Sequence, residues 1–187
     1  MLWPASLWGR KNAPVVAAIL QTGLCADCTR LEVENGELFF YRPARGGNIT
    51  AKIRCRTLPK MATVRSTEES GKIIITAGRG AVDCLEKVRE CAEKSGAEFG
   101  ASRGVVDQGL APYATQIGLT GRMVAPCIYL ALGISGAIQH MCAVQGAGVI
   151  IAVNPDREAP IFQYADYGIC SAAEEVCEIL SMETEKM

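Results

Sequence analysis

From Lys72 onward the chain repeats one grammar: a continuous apolar run, a glycine or small polar turn, then a helical pattern. KIIITAGRG precedes the amphipathic VDCLEKVRECAEK, and AEFGASRG leads into a connection from Gln116 to Arg122. APCIYLALGIS precedes GAIQHMCAVQ, read as a helix. VIIAVN follows, then the loop PDREAPIF, the short DYGICS and a last helix, AAEEVCEILSM. Strands that are apolar without alternation are buried on both faces, and strands that alternate with helices pair in parallel. The pattern therefore predicts an α/β domain over residues 67–187. Ligands of such sheets bind at the carboxyl ends of the strands, where the glycines and polar residues of this segment fall.

Residues 1–66 have a different texture. One helix is expected from Pro14 to Leu20, with the proline in its first turn. CTRLEV and ELFFYRP flank Glu-Asn-Gly, so Asn35-Gly36 reads as a hairpin turn. ITAKIRC, after Gly46-Gly47, and KMATVR complete a set of short strands expected to be antiparallel. Such a piece buries little by itself and reads as a small, mostly β fragment of a second α/β domain.

The composition, 49% hydrophobic and 21% charged, is that of a packed globular chain, and the net charge of −1 provides no basic field for nucleic acid or an anionic membrane. The start resembles a secretion signal, but its apolar run APVVAAIL is short, and no segment approaches the roughly 18–20 apolar residues that span a bilayer. A soluble, cytoplasmic protein is expected. The nine cysteines, several inside apolar helical patterns, read as buried thiols in a reducing compartment. Cys25 and Cys28 form a CxxC without a second pair at zinc-binding spacing, so a metal or redox role for them is the weakest of three readings.

Three strand ends share a chemistry. ITAGRG ends at Arg79, FGASRG at Ser102 and Arg103, and LGISGAIQH at Ser135 and Gly136. Backbone N–H groups free of a neighbouring β-carbon suit a phosphate, and guanidinium groups pair with phosphates and stack on flat rings. A nucleotide cofactor follows from the three together. Neither a Walker lysine loop nor the GxGxxG dinucleotide fingerprint is present. No nucleophile–base pair stands out, and Asp83 and Asp166 read as capping or solvated groups.

ASRGVVDQG, QIGLTGRMVAPCIYLALGISGAIQHM and VIIAVNPDREAPIFQYADYGI resemble the FAD domain of the electron transfer flavoprotein alpha subunit. TGLCADCTRLEV, RPARGGNITAKI and PKMATVR are similar to the end of that subunit's N-terminal domain, so the likeness covers nearly the whole chain. The resemblance implies a Rossmann-like, three-layer FAD-binding sheet and FAD as cofactor. It also implies a beta-type partner subunit, and electron shuttling from dehydrogenases such as the acyl-CoA dehydrogenases of fatty acid beta-oxidation. That is a carrier rather than an enzyme with its own substrate.

By the same resemblance Arg79 and Ser102 face the FAD phosphates and ribityl chain, and Arg103 lies near the isoalloxazine ring. Gln116, Ile117, Gly118, Leu119, Thr120 and Gly121 form a loop at the ring edge, with the Thr120 hydroxyl near N5. Ser135, Gly136, Ala137, Ile138, Gln139 and His140 form a helix start that receives the cofactor, with His140, the one histidine of the chain, at the N1–C2=O side. Asn154 contacts the AMP part. Donors and positive charge from His140, Arg103 and a helix N-terminus would favour the negative charge that reduction places on that edge.

The chain departs from the family at Leu119, where a glutamine is usual, and at Ala172, where an acidic residue after ADYG is frequent. Only the last portion of an N-terminal domain is recognisable. These departures keep a second reading open, a truncated, redox-inactive nucleotide-binding or subunit-pairing module.

Overall fold

The computed structural model describes residues 1–44, 49–65, 67–144 and 146–184. It divides into two compact units, Met1–Ser66 and Thr67–Met187. The expected Gly46-Gly47 turn lies outside the described residues.

In the first unit, β1 (Leu2–Pro4), β6 (Met61–Val64) and β2 (Leu24–Cys28) form a parallel sheet in the order β1-β6-β2. A second, antiparallel sheet joins β3 (Arg30–Glu34), β4 (Glu37–Ala44) and β5 (Ile49–Arg54). The β3–β4 turn is the expected one: Asn35 and Gly36 both take positive φ, 51° and 78°, which matches the right-handed twist of the flanking strands.

Two expectations for this unit are corrected. KMATVR is the central strand of a parallel sheet, because α1 (Leu7–Ile19) carries the chain across between β1 and β2. The helix also begins well before Pro14. The Ser6 hydroxyl accepts from Gly9 N at 3.3 Å and caps the first turn, so Pro14 sits mid-helix. Small residues bring α1 close to its neighbours: Ala13 and Ala17 are buried, and a β-carbon on Gly9 would stand 1.9 Å from the Pro4 carbonyl oxygen.

The second unit is a six-stranded, all-parallel sheet. Its strands are β7 (Thr67–Ala77), β8 (Glu98–Ser102), β9 (Gln116–Ile117), β10 (Met123–Leu132), β11 (Val149–Val153) and β12 (Tyr167–Ile169). The spatial order is β12-β11-β10-β7-β8-β9. Counted from β7, that is 6-5-4-1-2-3, the doubly wound order that reverses beside its first strand. Pro126 lies inside central β10, at the register shift between Pro126 and Ile128, a place where a missing N–H is tolerated.

Successive side chains point to opposite faces of the sheet, and both faces are covered. Ile75, Ala77, Leu130, Leu132 and Val153 pack against α2 (Leu85–Lys94) and α5 (Ala173–Thr184) through Leu85, Val88, Cys91, Ala173 and Cys177. Ile74, Tyr129, Ala131 and Ala152 pack on the other face with Ile134, Met141, Val144 and Ile161. The covering there differs from the expected long helix over GAIQHMCAVQ. Among its described residues only one turn, α4 (Ile138–Met141), is helical, and Gly136 at φ 88° with non-helical Ala137 delays its start to Ile138.

Candidate functional site

Strand order places the site. At the reversal point the chain leaves β7 and β10 in opposite directions, opening a crevice between their ends. Gly78 follows β7 and Gly133 follows β10, and their backbones touch: a β-carbon on Gly78 would lie 2.2 Å from the Gly133 carbonyl oxygen. Gly133 takes φ 64°, and a β-carbon there would meet the Gly80 carbonyl carbon at 2.4 Å. No side chain other than hydrogen fits either position.

Above this junction lies a cleft of about 820 Å³, within the size range of cofactor sites. Arg79, Ser102, Arg103, Ile117, Gly118, Leu119, Thr120, Ser135, Ala137, Gln139, His140 and Asn154 line it, so most of the residues singled out from the sequence meet in one place. They come from the ends of β7, β8, β9, β10 and β11, brought together only by the sheet.

Gln116, Gly121, Gly136 and Ile138 do not line the cleft; the first three pack behind its wall, and Ile138 is exposed at the start of α4. Buried Gln116 donates from Nε2 to the Thr120 hydroxyl at 2.9 Å. A β-carbon on Gly121 would stand 2.2 Å from the Gln116 carbonyl oxygen, and one on Gly136 2.2 Å from Ile161 N. The loop between Gln116 and Arg122 is held from several sides. Leu119 N donates to the Gln139 carbonyl at 2.6 Å, and the Tyr113 hydroxyl donates to the Thr120 carbonyl at 2.6 Å. Asn154 braces the far wall, donating from Nδ2 to the Ile134 carbonyl at 3.0 Å.

The charges are fewer than expected. Arg79 lies over Gly104, where a β-carbon would meet its Cγ at 2.7 Å, and it makes no ion pair among the described residues. Arg103 is paired instead: its Nε stands 3.0 Å from Asp107 Oδ2, one helical turn on, with both side chains more than half exposed. His140 is 7% exposed, and burial pushes its pKa down to about 4, so the ring is neutral at pH 7. Of the expected donors and positive charge, the neutral His140 adds no charge. The expected helix dipole is corrected, since one turn has almost none. Two guanidinium groups against one carboxylate leave the cleft with a modest positive balance.

Gly78, Gly80, Gly104, Gly133, Ile134 and Asp107 also line the cleft and were absent from the expected set. The glycines had a signal, since each follows a strand end. Asp107 had one as well, four residues after Arg103. The Cys25–Cys28 pair lies elsewhere, in the core of the first unit with Phe40, Cys55 and Ala62. Burial raises the pKa of the Cys28 thiol to about 12, and no cluster of three or more metal-ligating side chains occurs among the described residues.

A family model described as the electron transfer flavoprotein FAD-binding domain matches residues 69–145, and one described as the electron transfer flavoprotein domain matches residues 1–88. The electron transfer flavoprotein subunit alpha of Thermoanaerobacterium thermosaccharolyticum is 36% identical, in an alignment covering 100% of this chain and 71% of the relative. The chain belongs to the electron transfer flavoprotein alpha-subunit family. Bacillus subtilis has a relative of the same name at 34% identity, covering 96% of this chain and 68% of the relative. Protein FixB of Clostridium saccharobutylicum is 39% identical over 88% of this chain and 64% of its own length. The chain spans 71%, 68% and 64% of the length of these three relatives.

The matched FAD-binding model begins in β7 and runs through α4, so it includes both sides of the strand-order reversal. The residues that this chain brings to the crevice fit a flavin dinucleotide. The glycine junction lets a diphosphate approach the backbone closely, Arg79 is available to its charge, and the Gln116–Arg122 loop offers a rigid edge to a flat ring.

Proposed function

We propose that the chain binds FAD in the crevice between the ends of β7 and β10 and carries electrons as the alpha-type subunit of an electron transfer flavoprotein. One observation supports this most directly: the Gly78–Gly133 contact shares the cleft at the sheet's reversal point with Arg79, which makes no ion pair among the described residues. In this reading residues 67–187 are the FAD-binding domain and residues 1–66 a portion of a second domain. A beta-type subunit is the partner, and dehydrogenases, acyl-CoA dehydrogenases among them, are the donors. The protein transfers electrons and has no substrate chemistry of its own.

The flavin, when bound, supplies redox chemistry that no side chain has. The chain's residues bind and orient it. Arg79 and the N–H groups around Gly78–Gly80 hold the diphosphate. Arg103 faces the ring, with Asp107 fixing its direction and moderating its charge. The Gln116 amide holds the Thr120 hydroxyl at the ring edge. His140 forms the wall at the N1–C2=O side as a neutral ring, and Asn154 holds the strand-end loop against which the AMP half rests.

Leu119, in the cleft wall, and Ala172, just before α5, favour the second reading, a nucleotide-binding or subunit-pairing module without redox function. The visible absorption spectrum of the purified chain separates the two, taken with added FAD and with and without a beta-type subunit. A bound flavin that reduces and reoxidises reversibly supports the carrier. A colourless protein that ignores FAD even with its partner leaves only the pairing module.

A further inference from the structure

Beneath the cleft, on the sheet face that carries Ile74 and Ala131, lies a short run of buried polar groups. Tyr129 is fully buried at the centre of β10, and its hydroxyl stands 2.7 Å from His140 Nε2. The backbone of Ile117 also lies near the imidazole and favours a protonated ring nitrogen. Behind Tyr129 the Thr76 hydroxyl, also fully buried, has no well-formed hydrogen bond, and the tyrosine oxygen is the group it lies beside. Buried polar atoms are costly unless paired, so such a run in an apolar layer constrains the orientation of each member.

We infer that Tyr129 is a positioning residue for His140: its hydroxyl donates to Nε2, keeps the ring proton on Nδ1, and fixes the orientation of the ring as a wall of the flavin crevice. A neutral imidazole has one donor and one acceptor nitrogen. The buried Tyr129 O–H has Nε2 as its one hydrogen-bond partner among the described residues, so Nε2 is the acceptor and Nδ1 carries the proton. The Thr76 hydroxyl makes no hydrogen bond among the described residues, so the pairing runs from Tyr129 to His140. The connection to the flavin rests on the FAD reading above; the tautomer does not.

His140 is the one histidine in the sequence, so its imidazole nitrogens give the single histidine signal in a long-range proton–nitrogen NMR spectrum of the labelled, flavin-free full chain. The wild-type chain should show the proton on Nδ1. Tyr129→Phe, which keeps the ring volume, should lose that preference and give a mixture or the Nε2-protonated form. A wild-type signal with the proton on Nε2 overturns the inference, even if the variant fails to fold. So does a folded Tyr129→Phe chain with the wild-type tautomer.

In the FAD-loaded chain with its beta-type partner, Tyr129→Phe should shift the flavin's reduction potential. An unchanged potential reduces Tyr129 to a packing residue and overturns its positioning role. A chain that shows the expected tautomer yet never takes up FAD sinks the flavoprotein reading and leaves the Tyr129–His140 assignment standing.

Discussion

Gly78 and Gly133 meet backbone to backbone where β7 and β10 end, with room for hydrogen alone between them. The contact closes the floor of the crevice. Because Gly133 is also at φ 64°, alanine there suffers both a clash and a disfavoured backbone. Gly133→Ala should cost at least about 1–3 kcal/mol from backbone strain and should abolish FAD retention. Thermal unfolding and flavin content after gel filtration check both. A variant with wild-type melting and full flavin would mean that the strand ends readily separate.

His140 should make the protein sensitive to mild acid. Its folded pKa, about 4, is below the ordinary 6.5, so the unfolded chain takes the proton more readily. The stability from keeping the ring neutral is complete above pH 6.5 and is lost as pH falls from 6.5 toward 4, a total on the order of 3 kcal/mol. Asp27, whose pKa is lowered from 3.8 by Arg65 and Arg10 against the opposing effect of its burial, titrates below this window. Urea midpoints at pH 7 and pH 5 should differ for the wild type and converge for His140→Gln.

Arg79 and Asp107 should act on FAD affinity in opposite directions. Arg79→Ala removes a guanidinium with no ion-pair partner among the described residues and should weaken FAD binding about tenfold, the worth of one charge-assisted hydrogen bond. Asp107→Asn removes the carboxylate that Arg103 faces and should tighten binding by up to about fivefold, since the exposed pair itself contributes roughly 0–1 kcal/mol. Fluorescence titration with FAD measures both. Equal effects of the same sign would mean the two residues are not aimed at a common anion.

The cysteines should divide by exposure. Cys127 and Cys170 are exposed, whereas Cys25 and Cys28 are buried, with the Cys28 thiol pushed up to about 12. Alkylation at pH 8 followed by peptide mass spectrometry should label Cys127 and Cys170 first and Cys25 and Cys28 last. Early labelling of Cys28 would revive a redox role for the CxxC.

What the sequence determined by itself is local or periodic. The Asn35-Gly36 turn was legible because two residues carry its positive φ angles. The parallel sheet was legible because buried strands are apolar throughout and their helices intervene in order. Residue identities at the strand ends pointed to an anionic cofactor for the same reason. Tertiary structure decided what depends on distant segments meeting. β6 pairs in parallel because α1 carries the chain over between its two neighbours. Gly78 and Gly133 are separated in sequence and touch only when β7 and β10 lie side by side. The charge of His140 also waited on the fold. An imidazole in water titrates near 6.5, and burial in the fold pushes that down to about 4, so the ring stays neutral well into the acid range.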